Sequence, residues 1–314
     1  MLLNHLHSFL LLPSLVALGQ SLAIQKGQRA LQAQAAVSSS AVAALGSGSD
    51  DACIFIYAGT YEEQVSIEYE GNLTIYGYTS DTSSYSSNEV TISSSQSSAE
   101  AGTLDDSSAV NFASDGINIY NINFENTFGT ASQAVAVTAN GDSQGFYGCQ
   151  FIGWQDTLYS KAGNQYYKSC YIEGATDFIF GDAAAWFDSC DIAAKKAGAA
   201  ITANSRTLST DDAWYVFDSC NVDAASGYSL EGEVYLGRPW RVLARVMFQS
   251  SVLSNIINAA GWTTMADNAT PVFEEFNNSG DGSDTSDREY TTTATAAVTQ
   301  SELWGDASWI DATY

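Results

Sequence analysis

Histidine is nearly absent from this 314-residue chain: the two it has, His5 and His7, both fall in the first ten residues. Once a leader is removed the mature protein holds no imidazole, which excludes Ser-His-Asp and Cys-His nucleophile pairs and histidine-ligated metals. Cations are scarce as well. Eleven Lys and Arg stand against 36 Asp and Glu, a formal charge of -25, and this excludes nucleic acid as a partner, because a phosphate backbone is bound by clustered cations. Three prolines (Pro13, Pro239, Pro271) against 25 glycines rule out collagen-like and Pro-rich classes and leave Gly, Asn, Asp and Ser to make the turns. No segment after the leader reaches 18 uninterrupted apolar residues, so the mature chain is expected to be soluble, with no membrane partner. What is plentiful is core material: 45% hydrophobic and 12% aromatic residues can fill one large domain.

The apolar run from Phe9 to Leu18 has the length of a signal-peptide core and is too short to span a bilayer. Residues 1–20 therefore read as a secretory leader, with small residues for cleavage between 19 and 23, and residues 24–314 as the mature domain. Sequons at Asn72-Leu73-Thr74, Asn268-Ala269-Thr270 and Asn277-Asn278-Ser279 fit a secreted glycoprotein. The five cysteines, Cys53, Cys149, Cys170, Cys190 and Cys220, are odd in number, so at least one cannot pair within the chain.

Their spacing says more than their count. Phe146-Tyr147-Gly148-Cys149-Gln150-Phe151, Tyr167-Lys168-Ser169-Cys170-Tyr171-Ile172, Phe187-Asp188-Ser189-Cys190-Asp191-Ile192 and Phe217-Asp218-Ser219-Cys220-Asn221-Val222 repeat an aromatic, polar, Cys, polar, aliphatic unit at steps of 21, 20 and 30 residues. Related units centre on Ile122, 27 residues earlier, and Ser251, 31 later. Irregular periods in the twenties with period-2 alternation and little helical pattern indicate stacked strand coils, an all-β parallel β-helix. Helical pattern is confined to residues 28–45 and 298–312, expected as end caps. Cys170 and Cys190 on adjacent coils have a separation suited to a disulfide.

On the same ruler Gln133, Gln155-Asp156 and Asp177 lie one coil apart, at steps of 22 and 21. The residues around both aspartates are hydrophobic or small, so neither reads as a turn residue. Two carboxyls on neighbouring coils cannot both ionise cheaply, which separates a protonated acid from an anionic nucleophile. In Leu236-Gly237-Arg238-Pro239-Trp240 a scarce arginine sits beside an indole. A guanidinium can pair with a carboxylate and keep it ionised, and the indole face offers a platform for a sugar ring.

Five motifs, in order and spacing, resemble the pectinesterases (pectin methylesterases), especially the secreted fungal type: Gly59-Thr60-Tyr61-x-Glu63, Gln133-Ala134-Val135-Ala136, Gly153-Trp154-Gln155-Asp156-Thr157-Leu158, Asp177-Phe178-Ile179-Phe180-Gly181 and Leu236-Gly237-Arg238-Pro239-Trp240. The likeness runs from about Cys53 to the C-terminus, and includes Gly261-Trp262 and the stretch from Asn278 to Arg288. It implies a single right-handed parallel β-helix, monomeric and extracellular, that hydrolyses methyl esters of galacturonate in pectin without metal or cofactor. By the resemblance, Asp177 is the nucleophile, Asp156 the acid and then the base, Gln133 and Gln155 the oxyanion donors and Arg238 the partner of Asp177. Trp240, Tyr159 and Phe180 are walls of the sugar subsites. The chain departs from the family's pattern in residues 20–50, which are Ala/Gln/Ser-rich, in Thr202-Ala203-Asn204-Ser205-Arg206, and at Met265. The last two bear on substrate preference rather than on chemistry.

Two other functions fit a secreted β-helix. One is another pectin-active β-helix enzyme, a glycoside hydrolase or a lyase, the latter recruiting calcium between clustered acids and using an Arg or Lys base; the other is a non-catalytic β-helix that binds wall polysaccharide without turnover. The register of Gln-Asp, Asp and Arg-Pro-Trp favours the esterase. De-esterified pectin is a polyanion, so a chain this acidic is expected to disfavour it, and salt should weaken the penalty. Turnover of low-ester pectin should therefore rise several-fold between about 10 mM and about 150 mM salt, measured as initial methanol release. A flat or falling salt dependence would contradict this expectation.

Overall fold

The computed structural model of the chain describes residues 21–26, 29–34, 42, 44–46 and 48–314. The leader expected over residues 1–20 lies outside the described residues. From Ala52 onward the backbone winds through three sheets in turn, a long one of 12 strands, a second of 8 and a third of 7. One coil shows the plan: Gln144–Tyr147 in the long sheet, Gln150–Ile152 in the second, Leu158–Ala162 in the third, and then Asn164–Lys168 back in the long sheet beside Gln144–Tyr147. Each strand pairs in parallel with its counterpart one coil away, Phe146 with Tyr167 and Tyr167 with Phe187. This is a right-handed parallel β-helix, as the repeat and the resemblance led one to expect.

The repeat is legible because, from Asn121 onward, each coil turns its first corner on one residue in the left-handed region. Asn121, Gly148, Ser169, Ser189, Ser219, Ser250 and Asn277 all have φ between 51° and 57°. Left-handed backbone costs an L-residue about 1–2 kcal/mol, least for Gly and Asn. At the five corners from Gly148 to Ser250 the next residue turns inward and is small, and this is where Cys149, Cys170, Cys190, Cys220 and Ser251 are buried.

All five cysteines are free, so the expected disulfide between Cys170 and Cys190 is not formed. The thiols of the ladder point along the coil axis to carbonyls of the preceding coil, Cys170 Sγ to Phe146 O and Cys190 Sγ to Tyr167 O, both at 3.4 Å. Stacked in the same orientation, the sulfurs serve as small buried groups with their own acceptors.

The aromatic position of the repeat points inward. Phe146, Tyr167, Phe187, Phe217 and Phe248 stack face to face down the bore, with centroids 4.9, 4.7, 4.4 and 4.3 Å apart and planes within 8° of parallel. Trp262 meets Phe248 edge on and stacks on Phe273 at 4.3 Å. Arg288 closes this end by a buried ion pair with Glu275 at 2.8 Å and bonds to the carbonyls of Asn258, Ala259 and Gly282. Gly261, at φ 69°, lies against that arginine, where any Cβ would collide with its side chain.

Both expected helical caps differ from the structure. Arg29–Gln34 is a strand, antiparallel to Ser21–Lys26, which pairs in turn with Ala52–Ile56. Only residues 42 and 44–45 of that region are helical among those described, and Leu45 there is buried against the bore. At the other terminus the helix is short, Gln300–Trp304, closed by a capping box of Thr299 and Glu302. It caps nothing: the tail crosses the outer face of the long sheet. Leu303, Trp304, Trp309 and Tyr314 pack there against Tyr120, Tyr147, Tyr166 and Trp186. Trp304 Nε1 donates to Ala184 O, and Gln249 exchanges two hydrogen bonds with the backbone of Val298. The outward aromatic stripe of that sheet demanded a cover, and a five-residue helix with an aromatic tail supplies one.

Phe217→Ala removes the fourth ring of the stack, between neighbours at 4.4 and 4.3 Å. It should cost about 3–5 kcal/mol, read as a lower denaturant midpoint. A loss below about 1 kcal/mol would show that the neighbouring rings close the gap.

Candidate active site

The second corner of each coil, where the chain passes from the second sheet to the third, carries the carboxylates. Asp156 and Asp177 occupy that corner on successive coils, with the Gln155 and Thr176 before them bridged in parallel. Their backbones are left-handed, φ 64° and 48°. Contrary to the expectation that an aspartate here is no turn residue, both make the turn, and the hydrophobic neighbours mark the buried coils on either side. Aspartate is one of the few side chains that tolerates this backbone. The backbone N–H of Asp156 donates to Thr176 O at 3.1 Å and that of Asp177 to Ala200 O at 2.8 Å, so neighbouring coils hold both residues.

Arg238 arrives from two coils further on. Tyr235–Gly237 pairs with Ala200–Asn204 in the third sheet, with Thr202 opposite Gly237. A Cβ at Gly237 would strike the Thr202 hydroxyl, so glycine lets the two strands approach. Arg238 then reaches back over the intervening coil and grips Asp177 with two hydrogen bonds, Nε to Oδ1 at 2.7 Å and Nη2 to Oδ2 at 2.6 Å. Hydrogen bonding to Asp177 raises the guanidinium above its ordinary range.

Asp156 lives differently. It is 3% exposed, and its side-chain bond is from Gln133, Nε2 to Oδ2 at 2.7 Å. Burial, and after it the charge of Asp177, push its carboxyl up to about 8, against the opposing pull of Gln133 and Arg238. Two aspartates about 4.8 Å apart along the coil axis thus divide into a guanidinium-paired carboxylate and a buried carboxylic acid.

Gln133 sits exposed at the lip, fixed one coil before Gln155 by the bond from Ala134 N to Gln155 O at 3.1 Å. The half-buried Gln155 amide has no hydrogen-bond partner among the described residues and is left as a donor. Beside the carboxylates lies an aromatic floor. Tyr159 stacks on Phe180 at 4.4 Å and 11°, and Trp240 meets the two rings edge on at 6.5 and 5.7 Å. Leu104, Val135 and Ala203 pack around them. All eight residues expected at the site therefore gather at one corner of the coil.

The sequence model of the family described as pectinesterase matches residues 29–310. The chain belongs to the pectinesterase family. It is 61% identical over 278 residues to a probable pectinesterase A of Aspergillus niger, covering 87% of this chain and 84% of the relative. A pectinesterase of Aspergillus aculeatus is 43% identical over 282 residues, with 85% of each chain covered. The crystal structure of the pectin methylesterase from Aspergillus niger in deglycosylated form superposes with a TM-score of 0.86 at 60% identity, over 88% of this chain and 92% of that one. Pectin methylesterase from carrot gives 0.75 at 30% identity, over 83% and 84%.

The pectinesterase motifs did not announce everything in the cleft. Two short helices, Ser98–Ala101 and Leu104–Ser107, bring Leu104 onto the aromatic floor and Asp105 to Lys161 at 2.8 Å. On the side of the second sheet Lys195 lies 5.6 Å from the Trp154 ring centroid and pairs with Glu173 at 2.8 Å. A helix of four residues leaves no periodicity to find. Lysine scarcity was the usable signal, since Lys161 stands two positions after Tyr159 and so on the same side of its strand. Among the departures from the family pattern, Asn204 proves to be a bracket: its amide donates to Gly181 O and its carbonyl accepts from the backbones of Arg206 and Arg245. Met265 is exposed.

The raised carboxyl of Asp156 links stability to pH. Its value in the fold, about 8, exceeds the ordinary 3.8, so between those limits the folded state binds a proton that the unfolded state has lost. Stability contributed by this group is present at low pH and falls as pH rises through the window. Asp156→Asn should gain stability relative to the unaltered chain on going from pH 4 to pH 8, by roughly 1–3 kcal/mol, measured as denaturant midpoints at each pH. A difference that does not change with pH would mean that the carboxyl is not buried in its protonated form.

Proposed function

We propose that this chain hydrolyses methyl esters of galacturonate in pectin, giving methanol and the free acid, with Asp177 as nucleophile and Asp156 as acid and base. The observation that carries the reading is the inequality of the two stacked aspartates, one gripped by Arg238 and the other buried beside Gln133.

The steps follow from that inequality. The Asp177 carboxylate, oriented by Arg238, attacks the ester carbonyl carbon and places negative charge on its oxygen. Amide N–H groups of Gln133 and Gln155 at the lip receive that oxyanion, and uncharged pre-positioned donors are effective there because they need no reorganisation. Asp156, protonated at neutral pH, gives its proton to the departing methoxy oxygen, so methanol leaves and an acyl anhydride with Asp177 remains. The Asp156 carboxylate so formed takes a proton from water, whose oxygen attacks the acyl carbon. The free acid leaves and both aspartates return to their first state. Every proton moves between carboxyls, ester and water, as a site without histidine requires.

Tyr159, Phe180 and Trp240 form the floor on which the sugar rings lie, and their flat faces match the apolar faces of a pyranose. A polymer in the plant wall is reached from outside the cell, which accords with a secretory leader, a mature domain over residues 24–314 and a monomer that keeps the cleft open.

The test is methanol release from highly esterified pectin by the purified chain, beside Asp177→Ala and with chelator present. Release should resist chelator and fall by roughly 10³-fold or more in the variant. Unsaturated products, or activity abolished by chelator, would point to a lyase. A folded chain that binds pectin but releases no methanol would be a binding protein.

A further inference from the structure

Resting on the esterase reading, we propose that Asp105 is a specificity-determining residue: by pairing with Lys161 at the edge of the aromatic floor, it withholds that cation from the free carboxylates of pectin. This wall of the cleft then accepts esterified units in preference to acids.

Lys161 follows Tyr159 on the strand Leu158–Ala162, and its ammonium lies 5.7 Å from the Tyr159 ring centroid. A lysine beside a sugar platform is the natural partner for a galacturonate carboxylate. Here its charge is met by Asp105 Oδ2 at 2.8 Å, both side chains about one third exposed. The aspartate is placed by its own helix: Thr103 caps Leu104–Ser107, accepting from Asp106 N, and Leu104 anchors the turn on the aromatic floor. The other charges facing this floor are committed differently. Arg238 holds Asp177, and Arg206 donates to the carbonyls of Ser209 and Asp211. Asp182 follows Phe180 by two residues, its carboxyl pushed up to about 6 by burial and then by Asp211. Arg241 lies over the Trp240 ring, 5.0 Å from its centroid. The one cation on the Tyr159 side of the floor, Lys161, is thus offset by a single carboxylate, that of Asp105.

An exposed ion pair is worth at most about 1 kcal/mol, which is about five-fold in affinity, and this sets the size of the effect. The full chain, Asp105→Asn, Lys161→Gln, the double variant and Asp306→Asn, a charge control on the C-terminal tail, are titrated calorimetrically with ester-free galacturonate hexamer at low salt. Initial rates are measured on low-ester and high-ester pectin.

Asp105→Asn should bind the hexamer about five-fold tighter than the unaltered chain and raise the ratio of kcat/KM on low-ester over high-ester pectin by a similar factor, chiefly through KM. Salt should erase both gains. Lys161→Gln and the double variant should bind within two-fold of the unaltered chain. The proposal is overturned if Asp105→Asn binds no tighter, if Asp306→Asn or the double variant gains as much, or if Lys161→Gln weakens binding. Failure of the esterase reading would show separately, as no methanol from the unaltered chain on either pectin.

Discussion

Parallel strands about 4.8 Å apart set each residue of one coil over its counterpart in the next, and the rest of this molecule depends on that constraint. Like stacks on like. Inside the bore it gives a column of rings 4.3 to 4.9 Å apart and a ladder of buried cysteines beside it. At the second corner it gives two aspartates that share a position on successive coils. A stack of rings is favourable, whereas a stack of carboxylates is not. The chemistry begins where stacking alone would be repulsive.

The chain resolves that repulsion with neighbours brought from different coils. Arg238, 61 residues beyond Asp177, offsets one charge with a bidentate pair, and Gln133 hydrogen-bonds the other group as burial holds it protonated. These partners are supplied by the coils before and after, so the β-helix is itself the positioning device. Left-handed backbone at Asp156 and Asp177 is the local cost, met by interstrand bonds on both residues. The proposed division of labour gives an ester of an acidic sugar what its hydrolysis needs: a nucleophile, a proton donor and a flat platform.

Electrostatics works at two scales in this protein. A charge of -25 surrounds the whole chain, and within that field five of the eleven cations, Lys161, Lys168, Lys195, Arg238 and Arg288, each pair with a carboxylate. On the proposal made above, the Lys161–Asp105 pair keeps this wall of the cleft from offering a free cation to a polyanion.

The coil and the eight candidate residues of the site were legible in the amino-acid order, whereas the corner at Asp156 and Asp177 was not, because a β-helix turns sequence spacing into spatial stacking but not into the direction of each turn. Steps of 21 and 22 residues sufficed to place Gln133, Gln155, Asp156 and Asp177 together. Features that depend on direction rather than spacing were not legible. Cys170 and Cys190 lie on adjacent coils as the count required, yet their thiols point along the axis to carbonyls and remain unbonded to each other. Residues 298–312 carry an apolar pattern, but only the outward stripe of Tyr120, Tyr147 and Tyr166 determines that this tail lies across a sheet instead of closing an end. Asp105 meets Lys161 across 56 residues through a helix too short to leave a period. Sequence settled what repeats, because repetition is a property of order along the chain. Tertiary structure settled which way each non-repeating side chain faces, because that depends on the room and the partners left by everything else.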